Sequence, residues 1–327
     1  VSQSISKLGE FGLIQRFISK LSQKKTRIVV GPGDDCAVIK TGSSSSLLCT
    51  TDMLIEGVHF RRDWMTPRQI GAKAIRVNLS DIAAMGGVAR YALISLGLPA
   101  RTTLKEADQL FEGMSKTLES VGGTIIGGDV NASQKWVINV TLLGEPSHGP
   151  VMTRSGARVG DAIYVTGTLG DSSLGLQALK KKKKTGYGFF IQRHYQPPLR
   201  LEIGRYLACQ SLVHSMIDIS DGLGGDMQHI LDASHVGAEI RMDRIPVSKK
   251  FISLSRKMGS DPHQLILSGG EDYELLLTAS PKLKIPKKVK GVPITKIGYI
   301  IPYRSEIRFV NSQDRRCDIG LRGFKHF

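Results

Sequence analysis

An α+β or α/β protein of two domains is what the sequence predicts, and three observations carry that expectation. Short β-branched and aliphatic segments alternate with longer segments whose apolar residues recur at helical spacing. The 327 residues can bury more than one core. The stretch Glu145 to Pro150 holds two prolines and a glycine, which divides the chain into domains at 1–148 and 149–327.

Each element has its own local reason. Phe11, Ile14, Phe17, Ile18 and Leu21 share one helical face, so residues near 8 to 22 are expected to form an amphipathic helix. Arg27 to Val30, Cys36 to Lys40 and Leu47 to Thr51 read as strands separated by glycine, proline and serine turns, with Ser43 to Ser46 as a hairpin tip. Thr66-Pro67 supplies an N-cap and a first-turn proline for a helix that carries Asn78 and Asp81 on one face. After a strand at Tyr91 to Leu98, Thr103 and Glu106 have capping-box spacing and open a helix through Val121, which Gly122-Gly123 ends. Thr124 to Ile126 is expected as a short strand leading into a turn at Gly127-Gly128-Asp129, and Trp136 to Leu143 as another strand. Beyond the linker come strands at Ala162 to Thr166 and Met216 to Ile219, with helices near 171–182 and 200–209.

Composition narrows the function. Hydrophobic residues make up 41% and charged residues 23%, as in ordinary globular proteins. The longest apolar stretches, such as Tyr91 to Leu98, are too short to span a bilayer, and no amino-terminal signal pattern is visible, so a cytoplasmic location is expected. Cys36, Cys49, Cys209 and Cys317 form no Cys-x-x-Cys pair, which argues against zinc and disulfide frameworks. The net charge of +16 raises the question of nucleic acid, but much of the excess lies in the Lys180 to Lys184 block and in a looser group from Lys282 to Lys290. No aromatic residues interleave the first block as a base-stacking surface requires, so nucleic acid is not expected as a partner.

The chemistry is carried by glycine- and serine-flanked aspartates: Gly33-Asp34-Asp35, Thr50-Thr51-Asp52, Leu79-Ser80-Asp81, Gly127-Gly128-Asp129, and Ser220-Asp221-Gly222 with Asp226 behind it. Carboxylates gathered at strand ends and turns offer hard oxygen ligands, which suit Mg²⁺ bridging to phosphates. Glycines beside Asp129 and around Asp221 let a phosphate approach the backbone, although sharp turns use glycine too. No P-loop and no dinucleotide fingerprint occurs. The expectation from residues alone is a Mg-nucleotide site outside the P-loop class.

Taken in order, these segments, with Glu56-Gly57-Val58-His59-Phe60, Thr153-Arg154-Ser155-Gly156-Ala157 and Ser268-Gly269-Gly270-Glu271-Asp272-Tyr273-Glu274, closely resemble the thiamine-monophosphate kinases. That family belongs to the superfamily of aminoimidazole ribonucleotide synthetase and selenophosphate synthetase. The resemblance spans almost the whole chain. It implies a two-domain fold of mixed sheets flanked by helices, a homodimer formed through the amino-terminal domains, and ATP bound near the domain junction. By matching position, Asp34, Thr50, Thr51, Asp52, Asp81, Asp129, Asp221 and Asp226 are implied as ligands of several Mg²⁺ ions. Gly128, Asp129, Arg154 and Gly225 are implied as ATP contacts, and His59, Glu271 and Phe324 as contacts of the acceptor.

The implied reaction moves the γ-phosphoryl of ATP onto the phosphate of thiamine monophosphate. A phosphate monoester has its second pKa near ~6, so the acceptor already carries an oxyanion at neutral pH and no dedicated general base is expected. Bringing two anions together is the obstacle, which accounts for many aspartates without a catalytic histidine. A sibling ATP-dependent synthetase, a nucleotide sensor without turnover, and a nucleic-acid binder suggested by charge alone are the competing readings.

Overall fold

A computed structural model describes residues 5–21, 27–43, 45–211, 213–303 and 305–317. Its first half holds helices α1 (Ile5–Ile18), α2 (Pro67–Ala84) and α3 (Leu104–Glu119), with strands β1 (Ile28–Val30), β2 (Ala37–Lys40), β3 (Ser46–Ile55), β4 (Gly87–Leu98), β5 (Thr124–Ala132) and β6 (Val137–Pro146). These strands form one mixed sheet in the order β1-β2-β3-β6-β4-β5, in which only the β4–β5 pair is parallel.

The second half holds strands β7 (Ala162–Thr166), β8 (Val213–Asp218), β9 (Gly237–Arg241), β10 (Leu275–Ala279), β11 (Lys288–Val289), β12 (Val292–Ile301) and β13 (Ile307–Val310). Around them lie helices α4 (Asp171–Lys180), α5 (Gly188–Tyr195), α6 (Leu201–Ala208), α7 (Leu223–Ser234), α8 (Phe251–Lys257) and α9 (Pro262–Leu267). The second sheet runs β13-β9-β12-β7-β10-β8, with β11 beside β12 and with β13 parallel to β9. Every residue of β10, Leu-Leu-Leu-Thr-Ala, is buried, as its place between β7 and β8 requires.

Helix α2 positions the site. Thr66 and Gln69 close a reciprocal capping box at its start, with Pro67 in the first turn. It packs on β3, β4 and β6, and its apolar residues Ile70, Ile75, Leu79 and Ile82 are fully enclosed. It approaches α3 so closely that a Cβ on Gly71 would stand 2.1 Å from the Leu110 carbonyl oxygen, and one on Gly113 would stand 2.0 Å from that of Arg68. Its far side meets α6 and β8, so the buried core runs without a break from one sheet to the other. Polar residues on a helix buried on this many sides need partners. Lys73, Asn78 and Ser80 are all buried, and all three turn toward the site described below.

Several expectations change. Helix α1 ends at Ile18 rather than near 22 and is kinked at Gly9, and Ile14, Phe17 and Leu21 are exposed rather than packed. Gly127-Gly128-Asp129 is not a turn but the middle of β5. A Cβ on Gly128 would stand 1.8 Å from the Ile94 carbonyl oxygen, so close backbone contact with β4 is what requires the glycine. Strand β6 continues through Pro146 into the stretch expected as a linker. Helix α5 was not expected, because Gly186 and Gly188 interrupt its approach. No described helix is long and apolar enough to cross a membrane.

Candidate active site

A cleft of about 540 Å³ opens between the two halves, with Asp52, His59, Lys73, Asp81, Asp218 and Glu271 among its lining residues. Asp52 comes from β3, Asp81 from the last turn of α2 and Asp218 from the end of β8. Three elements thus bring carboxylates together from positions 166 residues apart at the extremes.

The centre of the site is a carboxylate cluster. Oxygens of Asp35, Asp81 and Asp218 all lie within 4.8 Å of one another. Thr50 donates its hydroxyl proton to Asp81 Oδ2 at 2.5 Å, and Ser80 donates to Asp218 Oδ2 at 2.6 Å. Arg154 donates to Asp35 Oδ1 from Nε at 3.1 Å and from Nη2 at 2.6 Å. Its backbone N–H lies 3.2 Å from both oxygens of Asp34. The Asp52 backbone N–H donates to Asn78 Oδ1 at 3.2 Å, which ties β3 to α2 beside the cluster.

Burial and mutual repulsion raise these carboxyls together. Burial, with the neighbouring charge of Asp35, pushes Asp34 up to about 7, Asp52 to about 6 and Asp218 to about 8. Asp81 is raised well above the ordinary range by burial and then by Asp52, Asp218 and Asp35. Asp35 is raised by burial, against the opposing charge of Arg154.

The donor set fits Mg²⁺. All of its side-chain donors are hard oxygens. Asp35 Oδ2 is buried and has no hydrogen-bond partner, an orphaned acceptor aimed at a cluster that is short of positive charge. Arg154 is the one arginine the cluster engages among the described residues.

The expected site residues separate into groups. Asp52, Asp81, Asp221, His59 and Glu271 line the cleft, and Thr50 and Asp34 support it from behind. Asp226, buried in the first turn of α7 next to Gly225, accepts the Asp221 backbone N–H at 3.1 Å and acts as a turn brace. Thr51 faces the other side of the first sheet, where its hydroxyl lies 3.1 Å from that of Thr141 and bonds the Val140 carbonyl at 3.2 Å. Asp129 is exposed and pairs in register with Ser95, which puts its side chain on that same outer face, where Asn131 donates to it at 2.5 Å. Gly128 lies beside it in β5. Phe324 falls outside the described residues.

At the end of the cleft where the acceptor was expected, His59 Nδ1 accepts the Ile55 backbone N–H at 3.0 Å, which fixes the ring tautomer and its orientation. Glu271 sits in the loop between α9 and β10, 2.8 Å from Lys73 Nζ and 3.0 Å from His194 Nδ1. Burial pushes the Glu271 carboxyl up, but the charge of Lys73 and the contact with His194 outweigh it and hold the group well below the usual range. Asp35 belongs to the Gly33-Asp34-Asp35 motif but was given no ligand role, and Asp218, Lys73 and His194 were not expected from the sequence at all. Two of them left a visible signal. Asp218 is a charge inside the apolar strand Ile217-Asp218-Ile219, and Lys73 lies one turn from Ile70 and Val77 on a face that is otherwise apolar.

Known proteins resemble this chain over its whole length. The family described as AIR synthase related protein, N-terminal domain, matches residues 33–145, and its C-terminal domain matches 158–310. The thiamine-monophosphate kinase of Aquifex aeolicus is 36% identical over 326 residues, covering 99% of both chains. That of Buchnera aphidicola (subspecies Acyrthosiphon pisum) is 36% identical over 331 residues, covering 98% of this chain and 99% of its own. A solved structure of AaThiL complexed with AMPPCP and TMP superposes with a TM-score of 0.87 at 34% identity, covering 100% of this chain and 99% of that one. With both AIR synthase related domains in order and more than a third of its residues shared over its full length, this chain belongs to the thiamine-monophosphate kinase family.

Proposed function

We propose that this protein transfers the γ-phosphoryl of ATP to thiamine monophosphate, giving thiamine diphosphate and ADP, the last step in making that cofactor. The observation that carries the reading is the convergence of Asp35, Asp81 and Asp218 within 4.8 Å, the last two lining the cleft that also presents Glu271. Full-length similarity to the thiamine-monophosphate kinases supports the choice of substrates.

In this reading Asp35, Asp81 and Asp218 hold Mg²⁺ with Asp34, Thr50, Asp52, Asp221 and Asp226 around them. Thr51 and Asp129 join the set through their family position alone. When bound, the metal neutralises phosphate charge and orients the phosphoryl oxygens for in-line displacement. The chain's own residues do the rest. Arg154, with Gly128 and Gly225 at the backbone, faces the nucleotide phosphates. Glu271 gives the cationic thiazolium a fixed negative partner, with His59 and Phe324 on the same side. No side chain needs to take a proton, because the acceptor oxygen is already ionised.

The domain boundary belongs at 148/149, between the last strand of one sheet and the first of the next. The protein acts as a homodimer paired through the outer face of the first sheet. Tyr91, Leu93 and Met53 stand exposed there, with Ile126 on the edge strand, a concentration of apolar surface that calls for cover. A cytoplasmic setting suits its four free cysteines.

The deciding experiment incubates purified protein with ATP, Mg²⁺ and thiamine monophosphate, with thiamine as a competing acceptor, and identifies the products by mass spectrometry. Thiamine diphosphate and ADP are the expected products. Transfer to thiamine alone overturns the acceptor assignment, and ATP binding without transfer overturns the activity.

A further inference from the structure

The acceptor end of the cleft holds a buried cation that the phosphate chemistry leaves unused. Lys73, on α2, has no exposed surface, yet its Nζ lies 2.8 Å from Glu271 Oε1 and donates to the His59 carbonyl oxygen at 3.3 Å. One ammonium therefore touches both described residues assigned to the acceptor. His194, buried on α5, engages the other carboxylate oxygen, with Nδ1 3.0 Å from Glu271 Oε2 and 3.1 Å from Ser172 Oγ. Lys73 belongs to the first half of the chain, whereas His194 and Glu271 belong to the second, so the contact also fixes the two halves against each other.

The loop that carries Glu271 needs such a clamp. Glu271 and Tyr273 both adopt left-handed backbone angles, with φ of 57° and 49°, which side-chain-bearing residues adopt only when their surroundings impose it. Their N–H groups bond to Ser220 and Ile219 carbonyls at 2.6 and 2.8 Å, so the loop is stitched to the strand end beside Asp221. The Glu271 side chain keeps 25% of its surface exposed, and a carboxylate has lone pairs beyond the two engaged here.

We infer that Lys73 and His194 are positioning residues that grip Glu271 by its two oxygens and present its remaining lone pairs to a cationic aromatic acceptor. The inference rests on the acceptor reading given above. Burial pushes this carboxyl toward its neutral form, which would weaken its attraction for a cationic substrate, and the Lys73 ammonium 2.8 Å away opposes that. Lys73 keeps it ionised, and His194 sets its plane.

The test measures KM for thiamine monophosphate, KM for ATP and kcat in the full-length enzyme and in Lys73→Met, Lys73→Arg, His194→Asn, Glu271→Gln and Lys73→Met/Glu271→Gln. Lys73→Met is expected to raise the acceptor KM about tenfold or more while the ATP KM stays within about twofold, the pattern of a lost contact with one substrate. Lys73→Arg recovers part of the loss, and the double variant is no worse than its poorer parent. His194→Asn shifts the acceptor KM in the same direction, and it decides the matter should Lys73→Met fail to fold. Folded variants with an unchanged acceptor KM, or with both KM values rising together, overturn the inference while leaving the activity intact. Absence of turnover by the unmodified enzyme removes the activity and the inference together.

Discussion

Arg154 reaches from the second half of the chain to Asp35 in the first, and its Nη2 lies 2.6 Å from a carboxylate whose side chain is 1% exposed. Asp34 and Asp218 also act on this guanidinium, and Asp52 and Asp218 crowd Asp81 beside them, so Arg154 is the protein's own counter-charge at the centre of the site. Removing it leaves Asp35 buried and unpaired. Arg154→Met is expected to cost about 3 kcal/mol of stability without metal, the usual consequence of breaking a buried ion pair from one side. Denaturant midpoints in the presence of a chelator check this, and adding Mg²⁺ should recover part of the loss. A variant as stable as the parent in chelator shows that Arg154 is not the cluster's counter-charge.

The raised carboxyls set a pH dependence with a definite sign. Asp52, Asp34 and Asp218, at about 6, 7 and 8 in the folded protein, hold protons that the unfolded chain, with carboxyls at 3.8, has already released. The folded state then binds more protons than the unfolded one, so metal-free stability falls as pH rises above 4, and the fall ends as each folded value is passed. A divalent cation takes only the ionised form and must displace those protons. Melting curves from about pH 5 to 8 should show the metal-free midpoint dropping while the gain from Mg²⁺ grows. A gain from Mg²⁺ that shrinks across this range contradicts the assignment of these carboxylates.

The pattern of aspartates was legible because chemistry demands it locally, whereas their grouping was not. Capping at Thr66 and Thr103 is written in adjacent residues, and the expected N-cap at Thr66 and capping box at Thr103 both form, with Gln69 closing a box at Thr66 as well. Which carboxylate turns inward depends on the elements packed opposite it, which a local window does not hold, so Asp34 and Asp221 stood out in sequence while Asp35 and Asp218 form the centre with Asp81. Thr51 shows the same effect in reverse, since a period of two sends it to the face opposite its neighbours Thr50 and Asp52. Gly128 read as a turn because a local window holds no sign of the β4 backbone that crowds it. His194 lay beyond any local reading, because its partner Glu271 is 77 residues away.

Asp218 separates function from stability. It is buried, its hydroxyl partner Ser80 can bond an amide equally well, and like charges surround it. Asp218→Asn should lower phosphotransfer by more than about 10²-fold, since even the outer partners of metal ligands are worth 10 to 100-fold. The same change should raise the metal-free melting midpoint at neutral pH by relieving repulsion. Turnover near the parent rate in the folded variant sinks the role given to Asp218, and Asp81→Asn is expected to behave alike.

The outer face of the first sheet makes a separate prediction about assembly. Leu93 is exposed at 40% and Tyr91 at 48% on β4, close to Met53 across the sheet. If two copies pair there, Leu93→Glu places a charge in the middle of the contact and converts a dimer to a monomer in sedimentation velocity. A parent protein that sediments as a monomer, or a variant that remains dimeric, rules out this face as the interface.

Behind the acceptor loop, Glu274 has no exposed surface and is gripped by Arg200 at 2.5 and 2.6 Å, by Arg193 at 2.7 Å and by the Thr166 hydroxyl at 2.7 Å. Two guanidiniums on one carboxylate leave a positive excess that nearby Asp171, 3.9 Å from Arg193, helps to balance. Glu274 immediately precedes β10 and supplies the carbonyl that accepts the Ile219 N–H at 2.8 Å, so its side chain anchors the strand from which the Glu271 loop hangs. Glu274→Ala strands two buried cations and should destabilise the fold by about 3–5 kcal/mol. Any folded fraction should bind the acceptor more weakly, because the left-handed turns at Glu271 and Tyr273 lose their fixed end. Unfolding midpoints and acceptor KM measured together test both parts, and a loss of stability with an unchanged acceptor KM shows that the anchor serves the fold alone.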